Sequence, residues 1–411
     1  MLHRVQNVQV SLYVKGFGAA AVRKSNFQLQ RRTLLIINLK IKLMKQQTSA
    51  TTETNIKGRN IIDFTGKTIY VGIDVHEKDY QVAKVLDDIC LGNHRMAANG
   101  QGLIEHLHSH YPGALFKCVY ESCAWGFNLQ RELTAAGIEC IVVHAADVSS
   151  SDKEKKRKTD KVDALKLARN HAAHQLTAIH VPDEDIQKER NLIRFRKKLV
   201  GDLNRSKNRL KSLLKYQGIN IPEQFGKKNN WSRNFMNWVE EEAKKDTLLQ
   251  DTLLLMLEEI KMLRQLLLKA ERKLRELMKL KYHQKAELLT STPGVGSTTA
   301  MLFLLEVGDI KRFGPFDRLN DFIGFCPDTD SSGETEHDTG ITSRRHKQLR
   351  SALIEAAWQA IRIDPALLEA YQQLTKRMRG NQAIVRIARK LLRRMRAVLL
   401  NGVSYQKGVI A

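Results

Sequence analysis

Nine positions set the strongest constraint on this chain. Leu249, Leu253, Met256, Ile260, Leu263, Leu267, Ala270, Leu274 and Leu277 follow one another in alternating steps of four and three residues. A strict seven-residue period sustained over four heptads is helical, and its apolar seam has to be covered by another helix. The reading is a coiled coil or long helical hairpin, closed within the chain or between chains. A second helical texture covers residues 186–215, where Leu192, Leu199, Leu203, Leu210 and Leu213 recur at helical spacing with the polar Ser206 in the same seam. Between the two, residues 218–245 read as a polar break that contains Trp231 and Trp238.

The helical surface at 186–215 is basic, with eleven Lys and Arg against Glu189 and Asp202. Residues 341–411 carry fifteen against Glu355, Asp364 and Glu369, and the whole 411-residue chain has a formal charge of +24. Such an excess points to a polyanion partner, most often nucleic acid. No apolar run reaches the ~18–20 residues that span a bilayer, so an integral membrane protein is excluded. Residues 1–52 hold nine Lys and Arg and no acid. They read as an extension outside the folded domains, with Met44 as the alternative start. Cys90, Cys118, Cys123, Cys140 and Cys326 are odd in number and lack a C-x-x-C pair. Neither a disulfide framework nor a zinc site fits them; buried free thiols in a reducing cytoplasm do.

From residue 67 the texture becomes strand-like. Residues 68–75, 80–86, 115–120 and 138–143 read as strands, and 102–111, 127–136 and 160–174 as helices, which together predict a mixed-sheet α/β domain. Acids are scarce in so basic a chain, so their placement carries weight. Asp74 ends the first strand and Glu121 a later one, while Asp160 and Asp163 share one face at the start of a helix. Taken singly, each suits a turn or a helix cap. Converging on one point, four carboxylates would repel unless cations lay between them, and Mg²⁺ or Mn²⁺ takes oxygen ligands of this kind. Two such ions can clamp the attacking and leaving oxygens of a phosphodiester.

The C-terminal block opens with TPGVGS at residues 292–297, the form of a helix–hairpin–helix turn. There Gly294 and Gly296 would let backbone approach a phosphate. Further candidate phosphate contacts are Arg194, Arg196, Lys197, Lys198, Arg205 and Arg209 in the first basic texture, and Arg344, Arg345, Lys347, Arg389 and Arg393 in the last. A solvated basic face is the competing account of each.

Three runs, GIDVHEKDYQVAKV, YESCAWGFNLQREL and KTDKVDALKLAR, resemble the RuvC-like N-terminal domain of DEDD-type insertion-sequence transposases. This is the group named after insertion sequences one-ten and eleven-eleven, with Piv-type invertases as relatives. TPGVGSTTAMLFLLEVGDIKRF, GFCPDTDSSGE and GITSRRHKQLRSALIEAAW resemble the second transposase domain of the same family. The resemblance implies a RuvC/RNase H-like domain at 67–182, a coiled-coil region at 183–285 and a mostly helical transposase domain at 286–405, with 1–66 outside. It places the four acids of the family on Asp74, Glu121, Asp160 and Asp163, and its nucleophilic serine on Ser332, with Ser331 as the alternative. It implies strand cutting and rejoining through a phosphoserine link, a structured non-coding RNA that guides the choice of DNA, and a tetramer on DNA; a dimer through the heptad helix is a further expectation. It also implies a prokaryotic, cytoplasmic, nucleoid-associated protein. Two competing functions are a RuvC-like nuclease without a covalent intermediate and a non-enzymatic nucleic-acid scaffold.

Overall fold

The structure is a computed structural model that describes residues 63–148, 159–226, 230–332, 335–342 and 344–408; between 327 and 340 only the backbone is described. The basic extension (save residues 63–66) and the polar loop 149–158 lie outside the described residues. The chain separates into two compact units, one ending at Ile179 and one beginning at His180.

The first unit is a five-stranded sheet. β1 (Thr68–Val75), β2 (Asp79–Leu86) and β3 (Ile89–Ala97) form an antiparallel meander, and β4 (Leu115–Glu121) and β5 (Glu139–Val143) add parallel strands, giving the order β3-β2-β1-β4-β5. The helices α1 (Gly100–His110), α2 (Asn128–Ala135) and α3 (Asp160–Ala172) complete the α/β domain expected. β1 sits centrally, and its Ile69, Val71 and Ile73 are fully buried. β3 was not apparent in the sequence. Asp87 and Asp88, both at positive φ (46° and 64°), make the tight turn that launches it, a backbone that a short polar side chain tolerates. The edge strand is tied in by Lys84, whose Nζ lies 2.8 Å from His94 Nδ1. Burial pulls Lys84 down to about 8 and His106, 3.5 Å from the same Nζ, down to about 4. Lys84 therefore donates and an unprotonated His94 Nδ1 accepts.

The thiol expectation is only half right. Cys118 and Cys140 are buried, and burial raises both, Cys140 to about 12. Cys90 on the edge strand and Cys123 after β4 are exposed, because the sheet covers neither position.

In the second unit α4 (Glu184–Tyr216) and α6 (Thr247–Lys281) run antiparallel. The ion pairs Arg196–Glu271, Arg209–Glu259 and Lys281–Glu189 fix their register. The heptad seam is thus filled within the chain: Leu253, Ile260, Leu263, Ala270 and Leu274 of α6 are buried, as are Leu199, Leu203, Leu210 and Leu214 of α4. Ser206 is accommodated in the seam because its hydroxyl donates to Glu259 (2.7 Å). The expected polar break contains a further helix, α5 (Arg233–Ala243), capped by the Ser232 side chain. Phe235, Met236, Val239 and Ala243 bury one face of it, beside the rings of Phe225, Trp231 and Trp238.

The remaining helices are α7 (His283–Thr290), α8 (Ser297–Val307), α9 (Phe316–Ile323), α10 (Lys347–Ile363), α11 (Pro365–Thr375) and α12 (Gly380–Asn401). They share one core with Ile193 of α4 and Leu274 of α6, so the segment 183–285 and the block from 286 make a single body. A buried carboxylate joins them. Glu306 of α8, 2 % exposed, accepts two hydrogen bonds from Arg194 (2.7 Å each) and lies 3.3 Å from His346. Arg190, itself buried, donates to the carbonyls of Leu305 and Glu306 (2.6 and 3.1 Å), groups that the end of α8 leaves without helical partners. Burial alone would raise the Glu306 carboxyl, but hydrogen bonds from His346 and Arg194 hold it down to about 2.

Two results are expected. Glu306→Ala strands Arg194 and Arg190 and should cost about 3 kcal/mol in urea unfolding, as removal of one partner of a buried pair does. The folded carboxyl is depressed, so its contribution is complete above the ordinary carboxylate range and is lost as pH falls toward 2. Acid unfolding of wild type should therefore have a component in that window that Glu306→Gln lacks.

Candidate active site

The candidate centre is built by one close approach. At Gly72 of β1 a Cβ atom would stand 2.0 Å from the Ala164 carbonyl oxygen and 2.5 Å from the Ala168 nitrogen. α3 therefore lies with its backbone directly on the strand, which only glycine permits. Its capped first turn (Thr159 accepts from the Val162 amide) then falls beside the end of β1. That turn carries Asp160 and Asp163, where the helix N-terminus favours negative charge. Asp74 is the penultimate residue of β1. β4 runs parallel to β1 with Ile73 beside Tyr120, so the next positions, Asp74 and Glu121, sit side by side at the carboxyl ends of neighbouring strands.

The structure brings Asp74, Asp160 and Asp163 within electrostatic reach. Burial raises the Asp74 carboxyl; His76 opposes this, and the charges of Asp160 and Asp163 reinforce it. The sequence reading passed over His76. Its Nε2 lies 3.2 Å from Asp74 Oδ2 and 3.6 Å from Asp160 Oδ2, and is buried without a hydrogen-bond partner. Asp74, His76 and Asp160 offer three ligand atoms within 4.8 Å of one another. Ligands that share one ion at ~2.1 Å stand ~3.0–3.4 Å apart when adjacent, so the set is the right chemistry for a divalent cation and would have to draw in by a few tenths of an ångström or more to share one. The i, i+2 spacing of Asp74 and His76 at a strand end was the available signal. Arg95 of β3 braces the cluster from outside, pairing with Asp79 (3.0 Å) and Asp160 (3.3 Å).

The serines fall in the other unit. Ser331 and Ser332 end β6 (Pro327–Ser332), which pairs antiparallel with β7 (Thr335–Ile341), Ser332 opposite Thr335. The serines thus stand where β6 ends opposite the start of β7; Gly333, which follows them, lies outside the described residues.

Several expected phosphate contacts have partners within the fold. Arg194 is held by Glu306, Arg196 by Glu271, Arg205 by Asp202 and Arg209 by Glu259. Gly294 does not open toward a ligand: its φ is +78° and a Cβ would meet the Ala356 carbonyl oxygen at 2.1 Å, so it seats α8's leading turn on α10. Gly296, at the N-terminus of α8, faces open space. Lys197, Lys198, Lys347, Arg389 and Arg393 are exposed; Arg344 and Arg345 precede α10.

Comparison with known proteins completes this picture. Residues 71–217 match the DEDD transposase family of the IS110 type, and residues 286–372 match the transposase IS116/IS110/IS902 family. Together the two matches take in more than half of the chain, in the order acids then serine hairpin, and they define a DNA transposase or recombinase. Relatives include y4qE of Sinorhizobium fredii, which carries a transposase name (28 % identical over 312 residues, 73 % of each chain). The transposase for insertion sequence element IS1533 of Leptospira borgpetersenii is 26 % identical over 301 residues, 71 % of this chain and 85 % of its own. A pilin gene-inverting protein of Moraxella bovis is 30 % identical over 133 residues, 31 % of this chain and 40 % of its own. The chain belongs to the IS116/IS110/IS902 transposase family.

Gly72→Ala should drive α3 off β1 and remove both its stability and the site: calorimetry should show a lower Tm and no measurable Mn²⁺ binding. Asp74→Asn acts oppositely on the two quantities. A raised folded pKa means that ionising Asp74 opposes folding at neutral pH. The ion-free variant should melt higher than wild type in calorimetry, while its Mn²⁺ binding is lost.

Proposed function

We propose that this transposase cuts and rejoins DNA strands with a serine nucleophile working with the carboxylates of its first unit. The observation that carries the reading is the grouping of Asp74, His76 and Asp160, whose ligand atoms lie within 4.8 Å of one another, with Asp163 on the same helix turn and Glu121 on the adjacent strand end. Asp74, Glu121, Asp160 and Asp163 would hold Mg²⁺ or Mn²⁺, with His76 as a further ligand that favours Mn²⁺, since imidazole suits the softer ion. A bound ion would offset charge on the scissile phosphate.

The chain's own residues do the rest. The hydroxyl of Ser332 (or Ser331) attacks phosphorus, and a serine phosphodiester forms as the strand oxygen leaves with the serine proton. A second strand's hydroxyl then attacks that ester and returns the proton to serine, so the number of phosphodiester bonds is conserved and no external energy source is needed. A serine is a weak nucleophile without activation, and the carboxylate site is where it would be gained. Glycine and the exposed cations Gly296, Lys197, Lys198, Lys347, Arg389 and Arg393 would contact phosphates, with Arg344 and Arg345 near the serine hairpin. These contacts read backbone and charge, leaving sequence choice to base pairing with an element-encoded guide RNA. A second copy would pack on α6: Leu248, Leu255 and Met262, one heptad apart, are 92, 66 and 54 % exposed on the face away from the filled seam. Two such dimers would meet on DNA as a tetramer.

Incubation with element-end DNA, followed by denaturation, should trap a protein–DNA adduct in wild type. The adduct should vanish in Ser332→Ala and in Asp74→Ala; loss with Ser331→Ala instead moves the nucleophile by one residue, and its survival in both serine variants would refute serine attack. Cleavage without any adduct would mark a RuvC-like nuclease, and full activity in Asp74→Ala a scaffold. Leu255→Asp should halve the solution mass with little change in Tm.

A further inference from the structure

One cleft in the second unit is not accounted for by the reading above. It has a volume of about 780 Å³ and opens between the end of α11, the first turns of α12, and Phe325 and Ile341 at the base of the serine hairpin. Its size lies among clefts that take small organic groups. Its wall has two chemistries. Leu374, Met378, Val385 and Phe325 give an apolar floor, and Arg386, Arg389, Lys390 and Arg393 rim it.

The rim follows from the helix period. Positions 386, 389, 390 and 393 lie on one face of α12, while Ile384, Ile387, Ala388, Leu391 and Leu392 bury the opposite face in the core. Two of the four cations are already oriented: Arg389 pairs with Asp317 (3.2 Å), and Arg393 stacks on the Phe316 ring with its guanidinium carbon 4.7 Å from the centroid. Arg386 and Lys390 are exposed and form no ion pair among the described residues. Among the described residues only Asp317 pairs with any of the four cations, which leaves a positive rim around an apolar hollow.

We propose that this cleft holds an unpaired nucleotide of single-stranded DNA, with the base in the apolar hollow and the flanking phosphates on the α12 cations. An anion alone would leave the floor of Met378 and Val385 uncovered. An apolar group alone would not use the rim, and a paired duplex hides its base faces. A nucleotide out of its stack presents both chemistries at once, and base stacking on nonpolar or aromatic walls tolerates any sequence. The acid-free stretch 1–52 of this chain is excluded as occupant by its own positive charge. The placement also has a purpose: the two strands that lead from Phe325 and back to Ile341 carry Ser331 and Ser332 at their tip. A strand pinned at the base of that hairpin is presented to it unpaired. Only the choice of DNA as the strand rests on the transposition reading.

The test uses the full chain and an oligonucleotide with one internal 2-aminopurine, without divalent ions, so no strand exchange is needed for the readout. Wild type should bind single-stranded DNA with a rise in 2-aminopurine emission. Arg386→Ala with Lys390→Ala should weaken binding about tenfold and make the log K against log salt slope shallower by about 1.4, two phosphates' worth on a single strand. Val385→Trp, which fills the hollow, should abolish the emission rise but retain the salt slope; Met378→Trp serves if that variant does not fold, as judged by its circular dichroism melt. Unchanged emission on binding, or duplex DNA competing as well as single strands, would reduce the cleft to a basic face. An RNA strand of the same sequence binding tenfold tighter, or polyglutamate displacing DNA at equal charge, would overturn DNA as the occupant.

Discussion

The approach of α3 to β1 at Gly72 is the contact on which the first unit turns. A strand in the middle of a sheet ordinarily keeps a helix about a side chain away. Here the missing Cβ admits backbone against backbone, with Ala164 and Ala168 as the small residues that complete the fit. The displacement is small, but it lies directly above the functional end of the strand. It decides whether Asp160 and Asp163 share space with Asp74 or merely share a domain. Burial of Asp74 beside the charges of Asp160 and Asp163 raises its carboxyl, and His76 opposes that only in part.

The second unit depends on a different device. A carboxylate placed on the otherwise apolar helix α8 would be a defect without its partners. With Arg194, Arg190 and His346 converging on it, Glu306 links three helices that are distant in sequence. This explains why basic residues of α4 that look available for phosphate are not all available. The helix is basic as a composition, yet part of that charge is internal to the fold. Arg196 repeats the pattern farther along, with Glu271 of α6, whereas Arg205 and Arg209 pair at the exposed surface. Exposed cations that form no ion pair among the described residues include Arg386 and Lys390 of α12.

Much of this was legible in the sequence for physical reasons. The heptad seam of α6 and the apolar run of β1 are statements about burial, and burial leaves a trace in sequence. The four acids stood out because they interrupt a basic background. What escaped has equally physical causes. β6 and β7 are built from PDTDSS and TEHDTGI, which have no apolar alternation to betray a strand. The helix α5 hides its apolar stripe among charges and lies in a stretch that looks like a break. His76 contributes through a three-dimensional neighbour, Asp160, and no spacing rule links the two. Gly294 was read for the ligand that glycine often admits, whereas it admits another helix.

The antiparallel pair also has a mechanical meaning. α4 and α6 contain 33 and 35 residues, so each is a rod ~50 Å long at 1.5 Å per residue. It is anchored at one end by the Glu306 clamp and closed at the other by the aromatic cluster around Phe235. At 3.4 Å per base-pair step, ~50 Å corresponds to ~15 base pairs. A rod of fixed length with a rigid joint is a caliper, and its setting is quantised. Adding or deleting one heptad in both helices changes the span by ~10 Å without disturbing the seam, whereas any other increment breaks the packing. The length of this element can therefore evolve only in discrete steps.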